Sequence, residues 1–144
     1  MRQSLSEKSI ALTTATALSA VLAVAAIIDQ AGGHTLMDHA DTVYAPVGKH
    51  PSAGLLYGLV YTVAIIDAAL WLLVRRVARS HRRSASILAM TVTVISASLA
   101  ILLLVSSEYG ARIFPPLWGG LALLPSVAGT LAAAFLLRRD PGRR

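Results

Sequence analysis

The sequence predicts an all-α fold: a polytopic membrane protein with four transmembrane helices in an antiparallel bundle and both termini in the cytoplasm. Three observations lead to this prediction. Of the 144 residues, 56% are hydrophobic and only 14% are charged, whereas about 25% of the residues of a soluble domain are charged. Four stretches stay apolar over the roughly 20 residues that a helix needs to cross a bilayer. The basic residues gather at one side of these stretches.

The four predicted spans share an apolar character on all sides and cover about residues 10–29, 52–74, 84–107 and 113–137. The helices of a soluble four-helix bundle would instead carry polar residues along one face. Short connections after the second and third spans predict antiparallel neighbours. With an outer loop at residues 30–51, the spans form a single domain over residues 1–144.

The basic residues predict the orientation, because they stay on the cytoplasmic side during insertion. Eleven Lys and Arg residues fall on one side of a four-span arrangement, and two, Lys49 and Arg112, fall on the other. We therefore expect a multi-pass protein of the cell membrane with both termini inside. The abundance of Ala, Arg and Gly is typical of a bacterial genome rich in G and C.

The first span can also be interpreted as a cleavable signal peptide. A basic start precedes an apolar stretch, and Ala23-Val24-Ala25 suits a signal peptidase. The apolar run is longer than that of most signal peptides and continues through Ile28, which favours retention of the span. Cleavage would leave three spans and an N-terminus outside the cell.

Composition argues against several functions. The chain has no cysteine, which excludes disulfides, thiol catalysis and Cys-ligated metal sites. The sequence pI is about 10.5, but the arginines lie at span ends without stacking aromatics, so no nucleic-acid partner is expected. No nucleotide-binding or haem-binding motif occurs, and we expect no cofactor.

Asp67 is the one charged residue in the interior of a predicted span, whereas Asp29 stands at the end of the first. An ionised carboxylate within a bilayer costs at least about 2.5 kcal/mol and is retained where something compensates it. Its neutral form can hydrogen-bond to Ser or Thr across the bundle. Two interpretations stay open: a buried helix-packing acid, and a protonatable group for proton-coupled transport or acid catalysis.

Two weaker candidate sites lie near the outer ends of the spans. Asp29 and Glu108 are either ordinary interfacial charges or a carboxylate pair that binds a cation or shares a proton. On a short helix His34, Asp38 and Asp41 would share one face and could hold zinc or another divalent ion. Their spacing matches no established zinc motif. A solvated polar loop and a pH-responsive histidine cluster are the alternatives.

Small residues and arginines predict contacts with other helices and with lipid. Gly54 and Gly58 form a GxxxG motif, and Gly129 with Ala133 forms a second small-residue pair, both of which favour close helix packing. Hydroxyl groups in the first and third spans either bond to helix carbonyls or form a polar track for a solute. Anionic lipid head groups are expected partners of a basic loop, formed by Arg75, Arg76, Arg79, Arg82 and Arg83.

Three functions stay open on the sequence alone. We favour a non-catalytic accessory or interaction module, either in a larger membrane complex or as a homo-oligomer, because intramembrane polar groups are few. The first alternative is a proton-coupled small-molecule transporter or channel component that uses Asp67. The second is an intramembrane enzyme for a lipophilic substrate, with Asp67 or the pair of Asp29 and Glu108 as acid.

Overall fold

Most of the described chain is helical. The computed structural model describes residues 2–80 and 82–137. Within these residues the α-helices are α1 (Arg2–Ile28), α2 (Thr35–Tyr44), α3 (Ala53–Ala78), α4 (Arg82–Val105) and α5 (Pro116–Leu137). The shorter elements are a π-helical turn at Asp29–Gly33, a 3-10 turn at Ala45–Val47 and the antiparallel strands β1 (Ser107–Glu108) and β2 (Ala111–Arg112).

Four of the helices are long and apolar enough to cross a membrane, as predicted. Their apolar segments have mean hydropathies between 1.9 and 2.5 and cover Ile10–Gly33, Ala53–Ala78, Ser84–Val105 and Pro116–Leu137. The fourth helix begins later than the predicted residue 113. Pro115 and Pro116 explain this difference, because proline disfavours helical backbone in the residue before it but suits the first helical position.

The long helices enclose a common core. Helix α1 packs against α3 and α5, and α4 packs against the same two helices. Two glycines of α5 leave room for large side chains of the other helices. A Cβ at Gly119 would lie 2.2 Å from Leu104 Cγ, and one at Gly129 would lie 2.2 Å from Trp71 Cη2. A larger residue at either position would therefore have to displace the neighbouring side chain.

The core consists of two apolar clusters with polar side chains between them. The first cluster contains Trp118 together with Leu36 and Ala40 of α2, and the second contains Trp71. On each long helix a buried polar residue separates the residues of one cluster from those of the other. We call these four residues the mid-bundle polar layer, which consists of Ser19, Asp67, Ser96 and Ser126.

Helix α2 lies at one end of the bundle, which we call the cap end. Residues 30–51, predicted as a loop, therefore contain a helix. Leu36, Ala40 and Val43 are spaced for one helix face and all three are buried, with Leu36 and Ala40 in the first cluster. This apolar face outweighs the polar character of the remaining residues and holds the segment on the bundle.

The hairpin between α4 and α5 lies at the same end as α2. Its two turn residues, Tyr109 and Gly110, have φ values of +52° and +81°. Two consecutive positive φ angles are the pattern of a type I′ turn, which matches the twist of the flanking strands. The turn exposes Tyr109, which is 52% accessible.

Candidate functional site

Asp67 lies in the mid-bundle polar layer and is only 2% exposed. Ser96 on α4 donates a hydrogen bond to its Oδ1 atom. Ser19 and Ser126 donate to backbone carbonyls of their own helices, at 3.2 and 2.7 Å. The layer thus combines one carboxyl group with three hydroxyl groups, and each side chain has the hydrogen-bond partner that a buried polar group requires.

Trp71 borders this layer. It follows Asp67 by one helical turn on α3, so the two side chains leave the same helix face, and it is fully buried. Its ring occupies the space beside Gly129, close to Thr93. The indole Nε1 finds no hydrogen-bond partner among the described residues. A carboxyl, a hydroxyl and an unpaired N–H donor therefore lie along the buried faces of α3 and α4.

Other hydroxyl groups of the long helices bond to their own backbone. Thr16, Thr62, Thr93 and Ser98 each donate to the carbonyl four residues earlier, at 2.7 to 3.0 Å. Bonds of this kind satisfy a hydroxyl locally. The pattern favours hydroxyls that serve the helix backbone over a continuous polar track, whereas Ser96 donates to a residue of another helix.

Asp29 connects three helices at the cap end. Its carboxylate Oδ1 accepts hydrogen bonds from the Thr35 N–H at 2.9 Å and the Thr35 hydroxyl at 2.6 Å. Oδ2 accepts from the Leu36 N–H at 3.1 Å and from the hydroxyl of Tyr57 on α3 at 2.7 Å. Thr35 and Leu36 begin α2, where backbone N–H groups lack helical partners. A carboxylate offers about four acceptor positions, and all of them are used here.

The backbone around Asp29 is shaped to allow these bonds. His34 has a φ of +51°, and its N–H donates to the Asp29 carbonyl at 2.7 Å. A Cβ at Gly33 would lie 2.7 Å from Asp29 Oδ1, whereas one at Gly32 would meet no atom within 4 Å. Glycine is therefore needed at position 33 by the carboxylate and is not needed at position 32.

Glu108 belongs to a separate polar cluster between α2 and the hairpin. Tyr44, the last residue of α2, donates a hydrogen bond to Glu108 Oε2. This bond, together with partial burial, raises the pKa of Tyr44 to about 12. The rings of Tyr44 and Tyr109 meet edge to face, with centroids 5.8 Å apart.

Two further contacts join residues 35–49 to the hairpin. His39 Nε2 donates to the Arg112 carbonyl at 2.9 Å. Lys49 Nζ donates to the Tyr109 hydroxyl at 2.5 Å and lies 5.1 Å from the centre of its ring. The hydrogen bond to Tyr109 raises the pKa of Lys49. The hairpin is thus bound to residues on both sides of the 3-10 turn.

The candidate residues of the cap end do not form one common site through shared bonds. Asp29 and Glu108 have different hydrogen-bond partners. His34 precedes α2, while Asp38 and Asp41 belong to that helix, with Asp41 exposed. Among the described residues no three His, Cys, Asp or Glu side chains are grouped to hold a metal ion.

Sequence reasoning missed the partners of the two carboxylates at the cap end. It named neither Tyr57 and Thr35 as partners of Asp29 nor Tyr44 as a partner of Glu108. The apolar spacing of Leu36, Ala40 and Val43 was the available signal that the segment folds back onto the bundle. No local pattern indicates which hydroxyl groups then reach which carboxylate.

The two predicted packing motifs occupy different environments. Gly129 and Ala133 are buried in the core. A Cβ at Gly58 would meet no atom within 4 Å, and one at Gly54 would meet only Ser52 Oγ at 3.8 Å. The GxxxG motif of α3 therefore has open space beside it.

The basic loop lies at the end of the bundle opposite α2. Arg75 and Arg76 lie in the last turn of α3, where Arg75 is half-buried and Arg76 is exposed, and Arg79 just after the helix is also exposed. The side chains of the other two predicted lipid contacts, Arg82 and Arg83, lie outside the described part of the chain. The three arginines whose side chains are described therefore lie at the C-terminal end of α3.

Four apolar helices around a filled core are compatible with a small membrane protein. No protein-family model matches the chain, and no curated protein or solved structure shows significant similarity to it.

Proposed function

We propose that the chain is a small multi-pass membrane protein that acts as a non-catalytic interaction module, binding either its own copies or a larger membrane complex. The observation that supports this proposal most directly is the open space beside Gly54 and Gly58 on α3. A glycine inside a helix lowers helix stability by about 1 kcal/mol relative to alanine, and no contact within the chain offsets this loss here. A helix of a second protein packed against these glycines would offset it, because close backbone approach stabilises helix pairs in lipid.

The proposed membrane arrangement is an antiparallel bundle with both termini in the cytoplasm. Along α1 and α4 the residues of the second cluster precede those of the first, and along α3 and α5 the order is reversed. This order supports antiparallel neighbours. The arginines at the end opposite α2 support an inner location of that end. There they would bind anionic head groups, at about 1 kcal/mol per basic residue.

The interaction role is tested by closing the open space on α3. Gly58→Leu fills it, and Gly120→Leu is the matched control, because Gly120 is an exposed glycine of α5 where an added Cβ would also meet no atom within 4 Å. The measurement is chemical crosslinking and co-purification of the full chain from native membranes. We expect the crosslinked species to be lost with Gly58→Leu and kept with Gly120→Leu. A chain that crosslinks to nothing, or equal loss in both variants, would contradict the proposal.

A second candidate function, proton-coupled transport, is favoured by one specific observation. Asp67 is buried at mid-helix among the hydroxyl groups of the polar layer, and intramembrane carboxyls mark proton relays in many transporters. The test is proton flux under an imposed pH gradient in sealed vesicles that contain the purified chain. Asp67→Asn should abolish this flux, whereas Asp41→Asn, at an exposed position of α2, should not. Equal flux with Asp67→Asn excludes this role.

The geometry favours intramembrane catalysis least. All acceptor positions of the Asp29 carboxylate are occupied by donors, which leaves no place for a proton that it could donate to a substrate. Glu108 accepts a hydrogen bond from the hydroxyl of Tyr44. Asp67 is the remaining candidate acid, and product loss with Asp67→Asn would be its test.

A further inference from the structure

The cap end is covered by one short segment with a joint at each side. Residues 35–47, which we call the cap, comprise α2 and the 3-10 turn. His34 precedes the cap and Gly48 follows it, with φ values of +51° and +68°. Residues in this left-handed region reverse the chain and interrupt helical bonding. The cap is therefore separated from α1 and α3 by two distinct joints.

The cap buries much less than the helices beneath it. Three of its residues are buried, against eight on α3. Its side-chain bonds to the hairpin, from His39 and Tyr44, are exposed. Local stability is lowest where few apolar groups are buried and hydrogen bonds are open to solvent. The cap is thus the part of the described bundle best suited to open by itself.

One carboxylate holds the cap to the bundle interior. Asp29 binds the first two N–H groups of α2 and the hydroxyl of Tyr57 at the same time. It therefore links the cap to α1 and to α3. Hydrogen bonds to a charged acceptor are stronger than those between neutral groups.

We propose that the cap opens locally as one unit about these joints, and that Asp29 is the latch that keeps it closed. Opening exposes the apolar face of α2, formed by Leu36, Ala40 and Val43, together with the end of the first cluster. The second cluster and the mid-bundle polar layer stay packed. This local opening of the cap does not depend on the proposed function.

The absence of cysteine makes the opening measurable with single thiols. Ala40→Cys places a thiol on the inner face of the cap, and Ala15→Cys places one in the second cluster. Both alanines are 0% exposed. The rate of maleimide modification of each purified full-length variant in detergent reports how often its site opens. Val43→Cys, on the same face of the cap, serves if Ala40→Cys impairs folding.

The latch is tested by Asp29→Asn in each thiol background. An amide nitrogen cannot accept a hydrogen bond, so part of the donor set around position 29 loses its acceptor. We expect modification of the Ala40→Cys thiol to become about tenfold faster, while the Ala15→Cys thiol stays protected. Tyr57→Phe removes a single donor and should give a smaller increase.

Asp41→Asn is the matched control, because Asp41 is an exposed carboxylate on the same helix. It should leave both rates unchanged. An equal increase at Ala15→Cys would indicate general loosening of the bundle and would overturn the proposal. It would also be overturned if Asp29→Asn left the Ala40→Cys rate unchanged, or if Asp41→Asn raised it equally.

Discussion

Gly129 on α5 lies directly against the indole ring of Trp71 on α3, so that a Cβ at position 129 would fall 2.2 Å from Cη2. Trp71 is fully buried and is held within the second cluster. Gly129→Ala should therefore lower the free energy of unfolding by about 1–3 kcal/mol, the usual cost of overpacking a core. Denaturant-induced unfolding in detergent measures this change.

Gly120→Ala is the control for Gly129→Ala. Gly120 also lies in α5, but a Cβ there would meet no atom within 4 Å. Alanine is a better helix former than glycine by about 1 kcal/mol, so this variant should be as stable as the parent or slightly more stable. Equal destabilisation by both substitutions would contradict the close contact with Trp71.

Gly33→Ala tests the approach of the backbone to Asp29. A Cβ at position 33 would lie 2.7 Å from Asp29 Oδ1, and that oxygen is fixed by two hydrogen bonds from Thr35. The carboxylate can move away only by giving up these bonds, which should lower the free energy of unfolding by about 1–3 kcal/mol. Thermal unfolding in detergent, followed by circular dichroism, is the measurement.

Gly32→Ala separates this effect from a general intolerance of the turn. The neighbouring glycine has no atom within 4 Å of the position its Cβ would take. We expect a change within about 0.5 kcal/mol, as for other surface substitutions. If both alanine variants lose the same stability, the cause lies in the π-helical turn and not in the carboxylate.

The four spans were predictable because the signals that define them are local. Apolar runs long enough to cross the hydrocarbon core of a bilayer, and the absence of charge within them, can be recognised without knowledge of tertiary contacts. The burial of Asp67 follows in the same way from its position within one such run. Its donor, Ser96, was one of several hydroxyls in the third span, and only the packing of α3 against α4 distinguishes it from Ser98.

The site at the cap end was not predictable in the same way, because its bonds join distant parts of the chain. Tyr57 follows Asp29 by 28 residues, and no spacing rule connects them. Small-residue motifs have a related weakness, since they do not indicate which helix face meets the bundle. Gly129 packs inside whereas Gly58 faces open space, although both belong to the same kind of motif.

Ser96→Ala should destabilise the bundle by removing the donor to Asp67. Interhelical hydrogen bonds in membrane proteins contribute about 0.6 kcal/mol on average and up to about 1.7. A double-mutant cycle with Asp67→Leu isolates the pair, because it subtracts the effect of each single change. The free energies of unfolding of the four proteins in detergent should show a coupling of that size.

Ser98→Ala is the matched control for Ser96→Ala. Ser98 lies on the same helix and donates to the Val94 carbonyl at 2.8 Å, in an exposed hydrogen bond. It should show no coupling to Asp67→Leu. Coupling of equal size at both serines would mean that the cycle reports a change of α4 as a whole.

Tyr44 provides a prediction of pH dependence. Its hydrogen bond to Glu108 raises its pKa from 10.0 to about 12 in the folded chain, so the fold favours the neutral phenol. The bond therefore contributes its full stability below about pH 10, and this contribution is lost as the pH rises through about 12. The measurement is titration of tyrosinate absorbance in the parent and in Tyr44→Phe. The component of the titration that the variant lacks is the ionisation of Tyr44, and its midpoint should lie near pH 12. A missing component that titrates near the ordinary 10.0 would mean that Tyr44 does not donate to Glu108 in solution.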